Sequence, residues 1–335
     1  MEGRTLIRSI INGENVPRSG FWMGNPARDT WPIYREYFKV KTDGEVRRIL
    51  KDDFTWLPCD GGYHGPEGRP AFPNPRKGEG LGCAGVFSEC ESVEEVEAYP
   101  WPDLRDLDFT AEAAAVRSAG DLYRASGMWC PFYHLVGDLF GMEQYFIKMY
   151  THPEVVKAVT RHVVDFYLAG TERFFREAGD EVDGFFFGND FGTQRDIMIS
   201  PECFQEFVFP YFREFCDLGR AAGKQIILHS CGAISKVIPN LIELGVNALH
   251  PLQACAAGMN AENLARYRGK VAFFGGIDTQ HLLVDATPDE VRDDVRRVRK
   301  LLGPNLIVSP SHEALLPNVP PANVSAISEA AHEPY

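Results

Sequence analysis

A histidine and a cysteine one residue apart are the part of this sequence whose types and spacing most directly suggest chemistry. His229 and Cys231 belong to the motif HSCG, directly after the apolar run QIIL. Both side chains can turn toward one centre, and imidazole and thiolate are good zinc ligands. Such a pair alone is more often a core cysteine beside a hydrogen-bonded histidine. A third ligand from a neighbouring loop, with His312 and Cys255 as candidates, would instead make a catalytic zinc site that can deprotonate an incoming thiol.

Two carboxylates follow other apolar runs in the same way. Asp190 comes after GFFFG, within GNDFGTQ, and Asp278 comes after VAFF, within FGGID. In a parallel α/β barrel the residues that follow the strands gather at one end, where catalytic groups lie. Each carboxylate is therefore a candidate catalytic group that orients a substrate, and each is about equally well interpreted as a cap of local backbone.

Other residues near these segments are candidates for binding a substrate or cofactor. Gly275 and Gly276 would let the backbone approach a ligand closely, because glycine has no Cβ. Arg28 could hold an anion, although a lone arginine is more often a solvated charge. The full set of binding candidates is Trp22, Arg28, Gln194, Gln253, Gly275 and Gly276.

The second half of the chain contains elements that would position these residues, because strand, loop and helix alternate there five times. Continuous apolar runs predict strands at 184–188, 225–229, 246–250, 271–276 and 305–309. Helices are predicted at 201–222, 234–244, 260–267, 287–302 and 320–331. Strands that are apolar throughout are typical of a parallel sheet covered on both faces. The pattern predicts a (β/α)8 TIM barrel. A doubly wound open sheet is the alternative, although no GxGxxG motif follows a strand.

The first half of the chain is less regular. A short amphipathic helix is predicted near the N-terminus. The stretch 53–102 is rich in Gly and Pro, which predicts a loop- and hairpin-rich insertion within one domain spanning 1–335. The apolar run 128–136 predicts a strand, and helices are predicted at 142–150 and 153–178.

Composition excludes several classes of protein. The 335 residues include 34 Lys and Arg against 47 Asp and Glu, a formal net charge of −13, so the basic field needed to bind nucleic acid or an anionic membrane is missing. No apolar run approaches the roughly 20 residues of a membrane helix. Eight irregularly spaced cysteines and the absence of a signal-like N-terminus favour a reducing cytoplasm over a disulfide scaffold.

Six motifs in order give the sequence a resemblance to a known superfamily. They are YPWPD, GNDFGTQ, ISPECFQEFVFPYF, HSCG, GGIDTQ and VPPANVSAISEA. On these motifs the chain resembles the uroporphyrinogen decarboxylase superfamily. The resemblance implies a single (β/α)8 barrel with its site at the carboxyl ends of the strands.

Within that superfamily the sequence looks most similar to the cobalamin-dependent methyltransferases, such as methylcobamide:coenzyme M methyltransferases. Their zinc is held by the His and Cys of an HxC pair and by a cysteine after the last strand. The matching residues here are His229, Cys231 and, within SPSH, His312. The resemblance implies a zinc-dependent methyltransferase that uses a methylated corrinoid on a partner protein and a small-molecule acceptor or donor. Asp190, Gln194 and Asp278 would orient the acceptor or corrinoid, and the stretch 53–102 would form part of the docking surface.

Two other functions remain open. Members with decarboxylase activity carry an early motif of the type WxMRQAGR, whereas this chain reads WMGNPAR over 22–28. Only Arg28 matches one of the motif's arginines, which disfavours a tetrapyrrole carboxy-lyase. A non-catalytic barrel that binds a corrinoid or porphyrin is the third possibility, because the cysteine expected at position 312 is a histidine.

Overall fold

Eight parallel strands form a nearly closed barrel in the computed structural model, which describes residues 3–73 and 83–335. The strands are β1 Gly20–Phe21, β2 Phe54–Trp56, β3 Tyr123–Ser126, β4 Gly184–Gly188, β5 Gln225–His229, β6 Ala248–His250, β7 Ala272–Ile277 and β8 Leu306–Pro310. They pair in the order β1-β8-β7-β6-β5-β4-β3-β2. The Asp53 amide, just before β2, donates to the Phe21 carbonyl of β1 at 2.9 Å. The predicted (β/α)8 TIM barrel is therefore confirmed.

Helices follow the strands and cover the outside of the barrel. Over the described residues they are α1 Gly3–Ile11, α2 Thr30–Phe38, α3 Asp43–Leu50, α4 Val93–Glu97, α5 Thr110–Ser118, α6 Phe132–Phe140, α7 Met142–Thr151, α8 Pro153–Ala178, α9 Pro201–Phe207, α10 Phe209–Ala221, α11 Ile238–Leu244, α12 Ala261–Leu264, α13 Leu282–Asp285, α14 Pro288–Leu302 and α15 Pro321–Ala331. Helix α8 has the predicted bounds. Helix α14 begins with a capping box formed by Thr287 and Glu290.

The strand predicted at 128–136 is wrong. The barrel strand is β3, which ends at Ser126, and the second part of the apolar run begins helix α6. Phe132, Val136, Leu139 and Phe140 are all buried, and their spacing is that of one helical face. A short apolar run does not by itself distinguish a buried strand from a buried helix.

Other predicted segments also differ from the structure, and the helix predicted at 234–244 begins only at Ile238. The helix predicted at 201–222 is divided into α9 and α10 at Val208, because Pro210 has no amide hydrogen to continue the i→i−4 hydrogen bonds. The loop-rich stretch 53–102 contains strand β2 at its start and helix α4 near its end. Residues 74–82 of that stretch lie outside the described residues.

The barrel interior is filled with aromatic and aliphatic side chains that alternate along the strands. Trp22, Phe54, Phe186 and Phe274 pack against one another within the barrel, with ring centroids 4.8–6.3 Å apart. Helix α1 adds its apolar face to the same cluster and closes the amino-terminal end of the barrel. The opposite end, where the strands finish, is left to polar side chains.

All eight cysteines fall within the described residues, and each is a free thiol. None of the helices in the described ranges is long and apolar enough to cross a membrane.

Candidate functional site

Three adjacent strands bring the main polar residues together at the carboxyl end of the barrel. Gly188 of β4 is in register with His229 of β5, which is in register with His250 of β6. Both histidines are almost completely buried, with 5% and 1% exposed. Asp190 follows β4 by two residues, so its carboxylate lies beside His229.

Asp190, His229 and Cys231 form a cluster whose ligand atoms all lie within 4.8 Å of one another. The His229 Nε2 atom is 3.4 Å from the Cys231 Sγ atom and 3.4 Å from the Asp190 Oδ1 atom. Tetrahedral zinc with bonds of about 2.0–2.3 Å holds neighbouring ligand atoms about 3.3–3.8 Å apart. The two measured separations fit a zinc ion with little rearrangement of these side chains.

The electrostatics of the cluster favour the deprotonated, ligating forms of Asp190 and Cys231 and, without a metal, the protonated form of His229. Burial would raise the pKa of Asp190, but hydrogen bonds from His229 and from the Cys231 amide, at 2.8 Å, hold that pKa below its ordinary value. Burial would likewise raise the pKa of Cys231, but hydrogen bonds from His229 and His312 lower it. Burial lowers the pKa of His229, whereas Asp190 and Cys231 more than reverse this and raise it well above its ordinary value. A carboxylate and a thiolate at this spacing would be balanced either by a proton on His229 or by a metal ion.

His312 touches the cluster without joining it. Its ring is hydrogen-bonded to Cys231, which helps to raise the pKa of His312. Its Nδ1 atom accepts a hydrogen bond from the Ala314 amide at 3.1 Å. A neutral imidazole that accepts at Nδ1 carries its proton on Nε2, so we assign His312 as a hydrogen-bond donor to the Cys231 sulfur. Among the described residues, His312 belongs to neither group of potential metal ligands.

A second group of potential ligands consists of His229, His250 and Glu313. The Nδ1 atoms of the two histidines are 2.9 Å apart, which is a hydrogen-bond distance and too short for two ligands of one zinc ion. The Glu313 Oε2 atom lies 3.7 Å from His229 Nδ1, is buried, and has no hydrogen-bond partner. A desolvated carboxylate oxygen of this kind is costly unless a cation is nearby, which again fits a metal in the cluster.

Two cavities at different sides of the barrel mouth are each lined by a residue that neighbours the cluster. One, of about 580 Å³, lies near the ends of β2 and β3 and is lined by Trp129, whose ring centroid is 5.2 Å from that of His229. The other, of about 560 Å³, lies near the ends of β6, β7 and β8 and is lined by His312 and Gln253. Because β2–β3 and β6–β8 lie across the barrel from each other in strand order, two reactants could reach the cluster from opposite sides.

The sequence matches the family described as Uroporphyrinogen decarboxylase (URO-D) over residues 85–334. The chain belongs to the uroporphyrinogen decarboxylase family. Its fold is also similar to that of a methyltransferase from Methanosarcina mazei, with a TM-score of 0.67, 13% sequence identity and 98% of each chain covered. At this identity the likeness concerns the fold. No curated protein matches the sequence.

Two other predicted site residues, Asp278 and Cys255, contact each other and belong to neither group of potential metal ligands. Asp278 accepts hydrogen bonds from the amides of residues 280–282, at the start of helix α13. It therefore caps local backbone, which was the alternative to a catalytic role. The Cys255 thiol is hydrogen-bonded to Asp278, and burial and this carboxylate raise its pKa to about 11. Cys255, which was a candidate for the third zinc ligand, therefore has Asp278 as its partner in this structure.

Some of the predicted binding residues lie at the mouth of the barrel, and the others lie elsewhere in the structure. Gln253 lines the cavity beside His312, and its Oε1 atom accepts from the Gly232 amide at 2.7 Å. Trp22 is completely buried in the barrel interior beside His250. Gly275 adopts φ +124°, and a Cβ there would lie 1.9 Å from the Pro251 carbonyl oxygen, so its close backbone approach is to a neighbouring strand end. The remaining members are Arg28 and Gln194, which are exposed, and Gly276, at φ +90°.

Sequence reasoning did not assign four residues that border the cluster. His250 and Glu313 follow strands, as the predicted ligands do, and that position was the available signal. His134, from α6, accepts a hydrogen bond from the Asp190 amide at 2.9 Å. Trp129 lies in the segment that was wrongly predicted as a strand. Because the strand in fact ends at Ser126, Trp129 follows it and lies at the barrel mouth.

Proposed function

We propose that this protein is a zinc-dependent methyltransferase that moves a methyl group between a corrinoid and a small-molecule acceptor. The observation that carries the proposal is the cluster of Asp190, His229 and Cys231, in which the separations from His229 Nε2 to Cys231 Sγ and to Asp190 Oδ1 match those of a tetrahedral zinc site. A zinc ion held by three side chains keeps one position for a substrate. The similarity of the fold to a methyltransferase supports this choice within the family.

The side chains of the chain have distinct tasks in this proposal. His229, Cys231 and Asp190 would hold zinc, which would supply the Lewis acidity that keeps a bound acceptor in its anionic form. His312 would donate a hydrogen bond to the Cys231 sulfur and so reduce the negative charge on that sulfur. Trp129 and Gln253 border the two cavities and would orient the reactants on either side of the cluster. Fixing both reactants in line removes most of the entropic cost of bringing them together.

The charges at the mouth disfavour the decarboxylase alternative. A tetrapyrrole with several acidic side groups would require cationic side chains around it. Among the described residues that line the two cavities, none is a lysine or an arginine. Arg28 is exposed, and so is Arg195, which follows β4. The carboxylates of Asp190 and Glu313 would instead repel such a substrate.

The proposed methyl donor is a methylated corrinoid carried by a partner protein. The barrel mouth would have to admit the reactive face of the corrinoid on the side bordered by Trp129, where five of the 14 residues that line the cavity are aromatic. Removing residues 60–73, which contribute to this rim, should weaken binding of a corrinoid protein and leave zinc content unchanged.

Zinc content and methyl transfer together test the proposal. The full-length protein is purified without added metal and analysed for zinc, then mixed with free methylcobalamin and a panel of small thiols. Demethylation is followed by the change in the visible spectrum of the cobalamin. We expect about one zinc per chain and transfer that depends on it, with both lost in C231A and retained in C255A.

Two results would contradict the proposal. Absence of metal under every loading condition would exclude the site. Release of carbon dioxide from uroporphyrinogen by metal-free protein would identify a carboxy-lyase instead.

A further inference from the structure

A close polar contact in the barrel mouth joins two histidines from neighbouring strands. His229 Nδ1 and His250 Nδ1 are 2.9 Å apart, and both rings are buried. One of the two nitrogens must therefore donate and the other accept. Which one donates determines whether His229 can bind a metal through its other nitrogen.

We propose that His250 is a positioning residue, which accepts the Nδ1 proton of His229 and thereby leaves His229 Nε2 free to bind zinc. This inference rests on the proposed metal site. A histidine that binds a metal through Nε2 must carry its proton on Nδ1, and an outer partner usually fixes that tautomer. Carboxylates and backbone carbonyls are the common partners, whereas here the partner is a second imidazole.

The neighbouring carboxylate does not provide this contact. The Glu313 Oε2 atom is 3.7 Å from His229 Nδ1, beyond hydrogen-bond distance, and it has no hydrogen-bond partner. A hydrogen bond donated by His229 Nδ1 also agrees with the contacts of the other ring nitrogen. His229 Nε2 faces Cys231 and Asp190, where a metal or proton is needed.

The surroundings of His250 are consistent with a ring that accepts at Nδ1 and carries its proton on Nε2. The Nε2 atom is buried and has no hydrogen-bond partner. The ring lies among Phe186, Phe274 and Trp22, with centroid separations of 5.2, 4.7 and 5.6 Å, and it is perpendicular to Phe186. An N–H group can rest against an aromatic face through a weak contact, whereas a bare nitrogen lone pair is repelled by it.

The experiment compares two substitutions at one position. H250N retains an acceptor oxygen near the position of the imidazole Nδ1, whereas H250L removes it and fills the aromatic surroundings with an apolar side chain. Zinc affinity is measured by competition with a chromophoric chelator. The tautomer of His229 is read from long-range ¹H–¹⁵N spectra of the zinc-loaded, histidine-labelled protein. F274L, which alters the same packing without removing a polar contact, is the matched control.

We expect H250L to bind zinc about 10- to 100-fold more weakly than the wild-type protein, and we expect H250N and F274L to stay within about threefold. The spectra should show His229 protonated at Nδ1. Equal zinc affinity in H250L and the wild-type protein would overturn the inference while leaving the metal site intact. A larger loss in E313Q than in H250L would also overturn it, because Glu313 would then be the acceptor. A wild-type protein that binds no zinc would instead refute the proposed function itself.

Discussion

Separate replacement of Asp190 and His312 decides which residue is the third metal ligand. The resemblance to cobalamin-dependent methyltransferases implies His312, whereas the distances favour Asp190, whose Oδ1 atom lies 3.4 Å from His229 Nε2. The two variants D190A and H312A each remove one side chain from the edge of the cluster. Neither removes packing from the barrel interior, because both side chains are only partly buried.

The expected magnitudes differ because Asp190 would bind the metal directly, whereas His312 would only hydrogen-bond to the ligand Cys231. Zinc binding to a four-ligand site contributes about 10–16 kcal/mol, or about 2.5–4 kcal/mol for each ligand. Loss of one ligand should therefore weaken binding about 60- to 700-fold. Loss of an outer hydrogen bond weakens binding about 10- to 100-fold, and the His312 contact with Cys231 should lie at the lower end of that range, because its ring is partly solvated.

The assay is zinc competition with a chromophoric chelator, accompanied by metal analysis and by thermal unfolding of the metal-free proteins. D190A should lose at least about five times more affinity than H312A. D278A is the matched control, since Asp278 is a carboxylate at another strand end that caps backbone amides, and its zinc affinity should be unchanged. If H312A loses zinc and D190A retains it, the reasoning from the distances is wrong and His312 is the ligand.

Three further outcomes are expected from the described contacts. In metal-free protein at neutral pH, the partly buried Cys231 should be alkylated faster than the exposed Cys255, because the pKa of Cys231 is lowered and that of Cys255 is raised. Zinc should protect Cys231 from alkylation. Mass spectrometry of protein treated with iodoacetamide checks both outcomes. D183A should destabilise the protein by about 1–3 kcal/mol in urea unfolding without altering zinc affinity. Asp183 is a buried acceptor for two partly exposed arginines and for the Arg124 amide at the opposite end of the barrel, and its loss would leave that buried amide without this acceptor. G275A should cost about 1–3 kcal/mol in the same assay, because its Cβ would overlap the Pro251 carbonyl.

The strands of the second half of the chain could be predicted from the sequence because each is a continuous apolar run ended by polar residues or glycine. The first three strands could not be identified in this way. Strand β1 has two residues and β2 has three, too few to show a pattern, and β3 contains Arg124, whose side chain is anchored to Glu181 at the amino-terminal end of the barrel. The longer apolar run after β3 was the misleading signal.

Prediction of the site was limited by contacts between different strands. His229 and Cys231 are recognisable because both residues lie at one strand end, two positions apart. The partners of His229 come from β4, β6 and β8, and the sequence contains no record of which atoms face each other across those strands. Asp190 was correctly singled out as a functional candidate, but its 3.4 Å separation from His229 Nε2 depends on the register of β4 with β5.

The choice between Asp190 and His312 also bears on which acceptor the proposed enzyme could use. Ligation by Cys231, His229 and Asp190 brings two negative charges to a divalent cation, whereas His312 in place of Asp190 would bring one. The more nearly neutral centre lowers the pKa of a bound acceptor less, and it leaves the resulting anion more nucleophilic, because nucleophilicity rises with basicity. A thiol needs only a small decrease in pKa to ionise at neutral pH, whereas a hydroxyl needs a large one. With the unpartnered carboxylate of Glu313 adding further negative charge nearby, the Asp190 ligand set favours a thiol over an alcohol as the methyl acceptor.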